Sequence, residues 1–537
     1  MSSIHAAGPP ESFEFPRSMG SGCAWLDANG DRRLDILLVR GGATIAAQNS
    51  GIQAELYLQS ENGRFINSSE TAGLSGTGYG MGVAVGDIDN DGDLDVYLTK
   101  YGPDQLFLND GTGHFTDATH ETGIVNPQWS TAAAMVDVNQ DGWLDLVVAN
   151  YVDYFPGTFC ADAAGREEFC GPQDFHGTFN RLFLNRSSIV DERLRFEDVS
   201  AASGIAAEPG KSLGLVCRDF DNDGDVDLFF ANDGEPNQFW IQHEGIFENQ
   251  AHVRGLAVNR FGEVEADMGT VVGNFCGDDH ADLLVTHLSG EMNTLWQGSD
   301  DGYFVDQTSQ FQFGAAGLAM TGFGVVATDL NCDGRLDLLI ANGRVKRDRH
   351  RTSQGNGFWA GYAEKNQIFL RLGADFQQIY DGGSGFTGPA EVSRGLAAGD
   401  YDADGDLDLL VTSVGAPARI FRNDAARVGH WLCIATSDPV RQRSTIGARV
   451  TVNCDGYRIS AEILPHTSYL SSHEPIVHVG LGTSSTVTSI DVVWPDDPVA
   501  VEEFAVTHVD QRIELVRGQG IRIRAKRHDA GDRESTP

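Results

Sequence analysis

Seven times along this chain, aspartates spaced two residues apart precede a short apolar stretch, and three copies are complete: DIDNDGDLD from Asp87, DFDNDGDVD from Asp219 and DYDADGDLD from Asp400. Carboxylates at positions 1, 3, 5 and 9 of such a loop, a glycine for the sharp turn at 6 and a carbonyl offered at 7 make an oxygen cage for a hard cation. The expected ion is Ca²⁺. Mg²⁺ suits the loop less well, because it is smaller, prefers a strict octahedron and gives up its waters reluctantly.

The complete loops offer Asp87, Asp89, Asp91, Asp93 and Asp95; Asp219, Asp221, Asp223, Asp225 and Asp227; and Asp400, Asp402, Asp404, Asp406 and Asp408. Two thinner copies keep Asp137, Asn139, Asp141 and Asp145, and Asp329, Asn331, Asp333 and Asp337. The first copy has Asp27, Asn29, Asp31 and Asp35 but Arg32 at the glycine position, which predicts a weaker site. In the fifth, Asn274, Cys276, Asp278 and Asp282 take the ligand positions and Asp279 replaces the glycine. A soft thiol is a poor partner for a hard cation, so this loop is expected to be empty or weak.

The loops begin at 27, 87, 137, 219, 274, 329 and 400, and self-similarity at such spacings means a modular array. One unit shows the pattern: GMGVAVGD (80–87) enters the loop, LDVYLT (94–99) leaves it, and QLFLN (105–109), a DGTG turn and HFTDAT follow. Four short strands per unit with Gly, Asn and Asp turns predict antiparallel sheets. Stacked radially, they make an all-β, seven-bladed β-propeller that hides its edges by closing on itself. The small residues of GSG (20–22), GMG (80–82) and RGLAAG (394–399) fit innermost strands crowded at the axis, and FEF (13–15) is expected to supply the strand that closes the last blade.

Formal net charge is −39, and 27 carboxylates lie in the seven loops. Seven Ca²⁺ ions would leave −25, which still repels phosphate backbones and anionic surfaces, so neither nucleic acid nor a membrane is an expected partner. No apolar run reaches the roughly 18 residues of a membrane helix. The start, MSSIHAAGPPESFEF, lacks a basic and then apolar leader pattern, which predicts a cytoplasmic protein. Cys160 and Cys170 bracket one loop and read equally as a disulfide or as two free thiols, and no cysteine and histidine cluster has zinc spacing.

In a propeller, residues just upstream of each inner strand surround the axial funnel. Here they are Tyr79, Trp129, Lys211, Glu265, Asp267, Met320 and Arg394. This mixed set either holds a small molecule or consists of Lys211 and Arg394 neutralising Glu265 and Asp267. No Ser/His/Asp or Cys/His arrangement is recognisable, so no catalytic residue is assigned. The run RVKRDRHR (344–351) either docks an acidic partner or pairs with the chain's own carboxylates.

These units resemble the FG-GAP or VCBS repeats of integrin-like propellers, with CGP at Cys170–Pro172 before NRLFLN and ANGRV (341–345) as further marks. The chain end is similar to the ASPIC/UnbV domain of the cartilage acidic protein 1 family, carried by HWLCIA (430–435), IGARVTV (446–452), SYLSSHEP (468–475), VHVGLG (477–482) and VVWP (492–495). The resemblance implies a propeller over 1–427 and a small β domain over 428–525; residues 526–537 have too little apolar content to fold and are expected to be a disordered tail. It also implies a calcium-binding protein that binds or scaffolds a small molecule or protein partner, with a bacterial natural-product pathway as its setting. The alternative it implies is a biosynthetic enzyme performing cyclisation or alkyl transfer in the axial pocket. A funnel where Lys211, Arg394, Glu265 and Asp267 converge favours the enzyme; an axis filled by apolar side chains favours the binder.

Overall fold

The computed structural model describes residues 12–42, 51–188, 193–311, 313–347, 357–373 and 375–524. Seven antiparallel sheets follow one another, numbered here as blades 1 to 7, with first strands Cys23–Leu26, Tyr79–Gly86, Ser130–Val136, Ser212–Arg218, Thr270–Gly273, Gly322–Thr328 and Ser393–Gly399. Each first strand touches the next, and the seventh touches the first, so the ring closes. Blades 1 to 6 have four strands and blade 7 has three.

The second strands are buried along their whole length, as in Asp145–Asn150 and Asp227–Asn232, except at Tyr101, the last residue of Asp95–Tyr101 in blade 2. A strand covered on both faces reads as a continuous apolar run rather than an alternating one. Here the cover is the neighbouring blade: Ala84, Tyr97 and Leu106 of blade 2 share one core with Met135, Leu146 and Phe183 of blade 3. At the axis the crowding is backbone on side chain. A Cβ on Gly214 would meet the Met268 carbonyl oxygen of the next blade, and one on Gly269 would meet that of Phe323.

The closure differs from the expectation. Phe13–Phe15 form no strand; they lead into a helical turn, Pro16–Met19, and Phe15 packs against Trp129, Tyr151, Tyr154 and Phe175 with ring centroids 5.3 to 6.1 Å away. Blade 7 is joined to blade 1 instead by Trp25 stacked on Tyr401, centroids 5.8 Å apart, and by the Gln59 side chain donating to the Tyr401 carbonyl at 2.9 Å. An aromatic cap is a better use of FEF than an edge strand, because it covers the mouth of the axial channel.

Residues from His430 to Arg524 form a second unit of two sheets around their own core, including Leu432, Val450, Val479, Ile490 and Trp494. In the first sheet His430–Asp438 pairs with Val477–Gly482 and, in parallel, with Gln511–Val516. The second has five strands, from Arg449–Asn453 to Ile521–Arg524. The expected tail, 526–537, lies outside the described residues.

One loop of this unit enters the propeller axis. Ser468 exchanges backbone hydrogen bonds with Thr270 of blade 5, Val83 of blade 2 donates to the Leu470 carbonyl at 3.1 Å, and Ser472 pairs with Cys23 and Trp25 of blade 1. Tyr469 is fully buried and its hydroxyl reaches the Met19 carbonyl at 3.2 Å, so the loop meets the N-terminal turn inside the channel. Leu470 adopts φ of 56°, and a Cβ on Gly22 would fall on its carbonyl oxygen, which explains that glycine.

Cys160 and Cys170, left open between two states, are bonded to each other. In the basic insertion Arg344 pairs with Glu364 at 2.9 Å and Arg347 with Glu168 at 3.1 Å, while residues 348–351 lie outside the described residues. The chain's own carboxylates therefore take up both described arginines of this run.

Tyr469→Ala removes a large buried side chain from a closed channel and is expected to cost about 3–5 kcal/mol. Urea unfolding monitored by tryptophan fluorescence measures it; a loss below about 1 kcal/mol would show that the loop does not brace the ring.

Candidate functional site

All seven aspartate loops share one backbone form. The fourth residue has φ between 56° and 76° and the sixth between 64° and 102°, including Arg32 and Asp279, which stand where the other loops have glycine. Two left-handed residues fold the loop so that its first side chain can bond its own backbone. Asp87 accepts from the amides of Asp91 and Gly92 at 3.1 and 2.9 Å, and Asp27, Asp137, Asp329 and Asp400 accept from the matching fifth and sixth residues. Asp219 accepts from the sixth, Gly224.

The ninth aspartate does something else in every copy. Asp35, Asp95, Asp145, Asp227, Asp282, Asp337 and Asp408 are each at most 1% exposed. One carboxylate oxygen accepts from the second residue of its own loop, and the other from the blade's third strand or, in blade 7, from Asn423 two residues beyond it, at 2.6 to 3.3 Å. Each of these carboxylates thus ties three segments of its blade together.

The third-strand residue often carries an amide side chain that reaches back to the preceding loop. Asn109, Asn185, Gln242 and Asn423 donate to the second-position carbonyls of Ala28, Ile88, Val138 and Leu330, as Gln59 does to Tyr401. Blades 5 and 6 have Gly298 and Arg371 at this place, so neither supplies the amide clasp. Fourth-position amides add a second link: Asn90 donates to the Gly142 carbonyl at 3.2 Å and Gln140 to that of Gly224. Sequence reasoning missed both clasps, although the amides recurring at those positions were visible.

First- and third-position carboxylates of loops 2 and 4 retain free oxygen. Asp89 Oδ1, Asp219 Oδ1 and Asp221 Oδ1 are buried without a hydrogen-bond partner, and Asp87, Asp89 and Asp95 bring carboxylate oxygens within 4.8 Å of one another. An all-oxygen donor set of this kind fits a hard divalent cation. Burial, with neighbouring carboxylates adding to it, pushes Asp87 to about 7 and Asp400 to about 7; burial pushes Asp35 to about 7 and Asp227 and Asp408 to about 8. Loop 1 keeps the fold, but Arg33 binds its fifth-position Asp31. In loop 5 the Asn274 oxygen accepts from Gly277 and Asp278, Asp278 takes the Gln297 amide at 2.6 Å, and Asp279 pairs with Arg458 at 3.0 Å.

The funnel residues do not converge. Arg394 is fully buried under the N-terminal turn, donating to the carbonyls of Ser18 and Gly343 and lying 3.9 Å from the Phe323 ring centroid; burial lowers its pKa to about 10. Lys211 pairs with Glu235 at 2.9 Å. Glu265 and Asp267 flank the buried His287 at 3.8 and 2.7 Å, so neither Lys211 nor Arg394 neutralises them. Burial pulls the His287 pKa down, but the two carboxylates overcome it and hold it at about 8. Tyr79 and Trp129 join Phe15, Met81, Phe323, Tyr469 and Leu470 in the apolar core of the axis, and Met320 is half-buried outside it.

Open space lies at the aspartate-loop end, where the C-terminal unit docks. Arg443 is buried and donates to the Gly142 carbonyl at 3.1 Å, Arg218 grips Glu462 through two bonds of 2.6 and 3.0 Å, and Arg449 donates to Asn222 at 2.9 Å. Between these contacts a cleft of about 1970 Å³ opens over blades 4 to 6, lined by residues including Phe275, Arg371, Arg449, Tyr457, Arg458 and His473. It lies beside the one loop with a thiol at a ligand position and beside the two blades that lack the amide clasp.

The chain matches the FG-GAP-like repeat over 27–98, 92–148, 219–285 and 274–340 and the ASPIC and UnbV domain over 439–522. It is similar to cartilage acidic protein 1 of Xenopus tropicalis, 23% identical over 63% of this chain and 59% of that protein, and of Homo sapiens, 24% identical over 66% and 62%. The mouse protein is 24% identical over 61% of this chain and 48% of its own length, so the chain spans about half to three fifths of these relatives. Among solved structures it is similar to an Agrocybe aegerita lectin that recognises terminal N-acetylglucosamine, with TM-score 0.41 and 14% identity over 76% of this chain and 95% of that one. It is also similar to a Burkholderia pseudomallei lectin, with TM-score 0.41 and 12% identity over 76% and 97%. No helix among the described residues is long and apolar enough to cross a membrane. Ring and loops together identify the chain as a β-propeller protein built from FG-GAP-like repeats and carrying an ASPIC and UnbV domain.

Proposed function

We propose that this chain is a calcium-braced propeller that acts as a binding or scaffolding protein and engages its partner at the cleft between the aspartate loops and the C-terminal unit. The observation that carries the proposal is the filled axis: Tyr469 and Leu470 occupy the channel from one side and Phe15 and Met19 from the other. The enzymatic alternative relied on that channel, and it has no room there. The cleft exceeds the roughly 300–1,000 Å³ of a pocket for a compact small molecule, which favours an extended partner such as a polypeptide segment. A natural-product setting rests on the sequence resemblance alone. The Cys160–Cys170 bond supports an oxidising compartment rather than the cytoplasm expected from the sequence.

In this reading Ca²⁺ is held by the first, third and fifth residues of loops 2, 3, 4, 6 and 7, with a weaker place in loop 1 and none in loop 5. The ion would neutralise carboxylates that otherwise repel one another across a buried turn. Binding to the folded chain alone adds about 2.7 kcal/mol per site at a hundredfold excess over Kd.

Chelation is therefore expected to lower the melting temperature, with Ca²⁺ restoring it more fully than Mg²⁺; a melting curve indifferent to chelator contradicts the proposal. The pH dependence of the metal-free protein adds a second check. Its buried aspartates titrate near 7 to 8 when folded and near 3.9 when unfolded, so between about pH 4 and pH 8 the folded state holds more protons. Their contribution is present at the acid end of that window and lost as pH rises through the folded values. Chelated protein should melt higher at pH 5.5 than at pH 8 by calorimetry, and Ca²⁺ should remove the difference, chiefly at pH 8. For the cleft, Arg449→Glu with Arg458→Glu should abolish retention of the partner that the wild-type chain captures from its own cells, in a variant first shown to be folded by its calcium-loaded melting curve. Undiminished capture would move the binding surface elsewhere.

A further inference from the structure

Cys332, Asp406 and His478 come from blade 6, blade 7 and the C-terminal unit, and each presents one donor atom within 4.8 Å of the other two. Cys332 is the fourth residue of its loop, where φ of 59° turns the side chain away from the cation ligands. Its sulfur faces Asp406 Oδ1 at 3.9 Å. His478 has Nε2 3.0 Å from the Gly405 carbonyl, while Nδ1 is buried with no hydrogen-bond partner. If Nε2 carries the proton, as a carbonyl neighbour requires, Nδ1 keeps its lone pair. A ring held through one nitrogen by a backbone carbonyl and free at the other is the arrangement found in metal-bound histidines. Cys433 packs with Cys332 and Trp431 in the same small cluster, and both thiols are fully buried.

We propose that Cys332, Asp406 and His478 bind a thiophilic divalent ion of the zinc class. The donor set is thiolate, imidazole and carboxylate, which suits zinc and is wrong for calcium. The aspartate is the weakest member, because Arg427 Nε already contacts its two oxygens at 2.8 and 2.9 Å. On binding, the Cys332 thiol gives its proton to solvent. The ion would bind the C-terminal unit to the sixth and seventh loops independently of calcium, which makes it a structural staple across the junction of the two units.

Cobalt(II) is the spectroscopic probe, added to full-length, metal-stripped protein under saturating Ca²⁺ so that the oxygen loops are filled. One equivalent is expected to produce a thiolate-to-cobalt charge-transfer band that one equivalent of Zn²⁺ erases. Cys332→Ser and His478→Gln should each lose the band, while Cys276→Ser keeps it; each variant is first shown to be folded by its calcium-loaded melting curve. A wild-type chain without the band, or a band that survives in Cys332→Ser or in His478→Gln, overturns the site.

Discussion

A buried carboxylate that accepts from two backbone amides in different segments is the interaction on which this structure depends. It occurs seven times, at the last position of each loop, and each copy ties the loop to the second and third strands of its blade. An amide left unpaired at such a place would cost about 1–3 kcal/mol, and a lone buried carboxylate more. The pairing satisfies both. It also gives Asp282 a use in the fifth loop, whose other ligand positions depart from the complete pattern: the architectural use of that aspartate does not require a cation.

Blade-to-blade cohesion follows from side-chain amides that cap the preceding loop, and its pattern is uneven. Five blades carry the clasp; blades 5 and 6 do not, and there the ring presents Arg371, Phe275 and Cys276 to the cleft. The C-terminal unit adds contacts of its own from above, gripping loop 3 through Arg443 and blade 4 through Glu462 and threading its own loop down the axis. Propeller and C-terminal unit therefore stabilise each other, and the same docking that fills the channel creates the cleft.

Much of this was legible beforehand because it is local. The aspartate spacing, the turn glycines and the apolar second strands each lie within a few residues, so the sheets and their repetition could be read directly. FEF misled because a short apolar triplet at the chain start has no local mark separating a closing strand from an aromatic cap; Phe15 finds Trp129 and Tyr151 only after the ring has formed. The funnel residues misled for a related reason. Their positions at the ends of inner strands were right in kind, but the loop that fills the channel comes from residues 466–474, far along the chain, and leaves Arg394 serving backbone carbonyls rather than a ligand.

By itself the sequence determined the loops, the β character and the two-part organisation, since hydrogen-bonding turns and strand preferences are set by neighbours in the chain. Only the tertiary structure decided where space remains, how Glu265 and Asp267 are neutralised, and that Cys332, Asp406 and His478 meet. Those outcomes depend on which distant surfaces exclude water from one another, and no spacing along the chain records that.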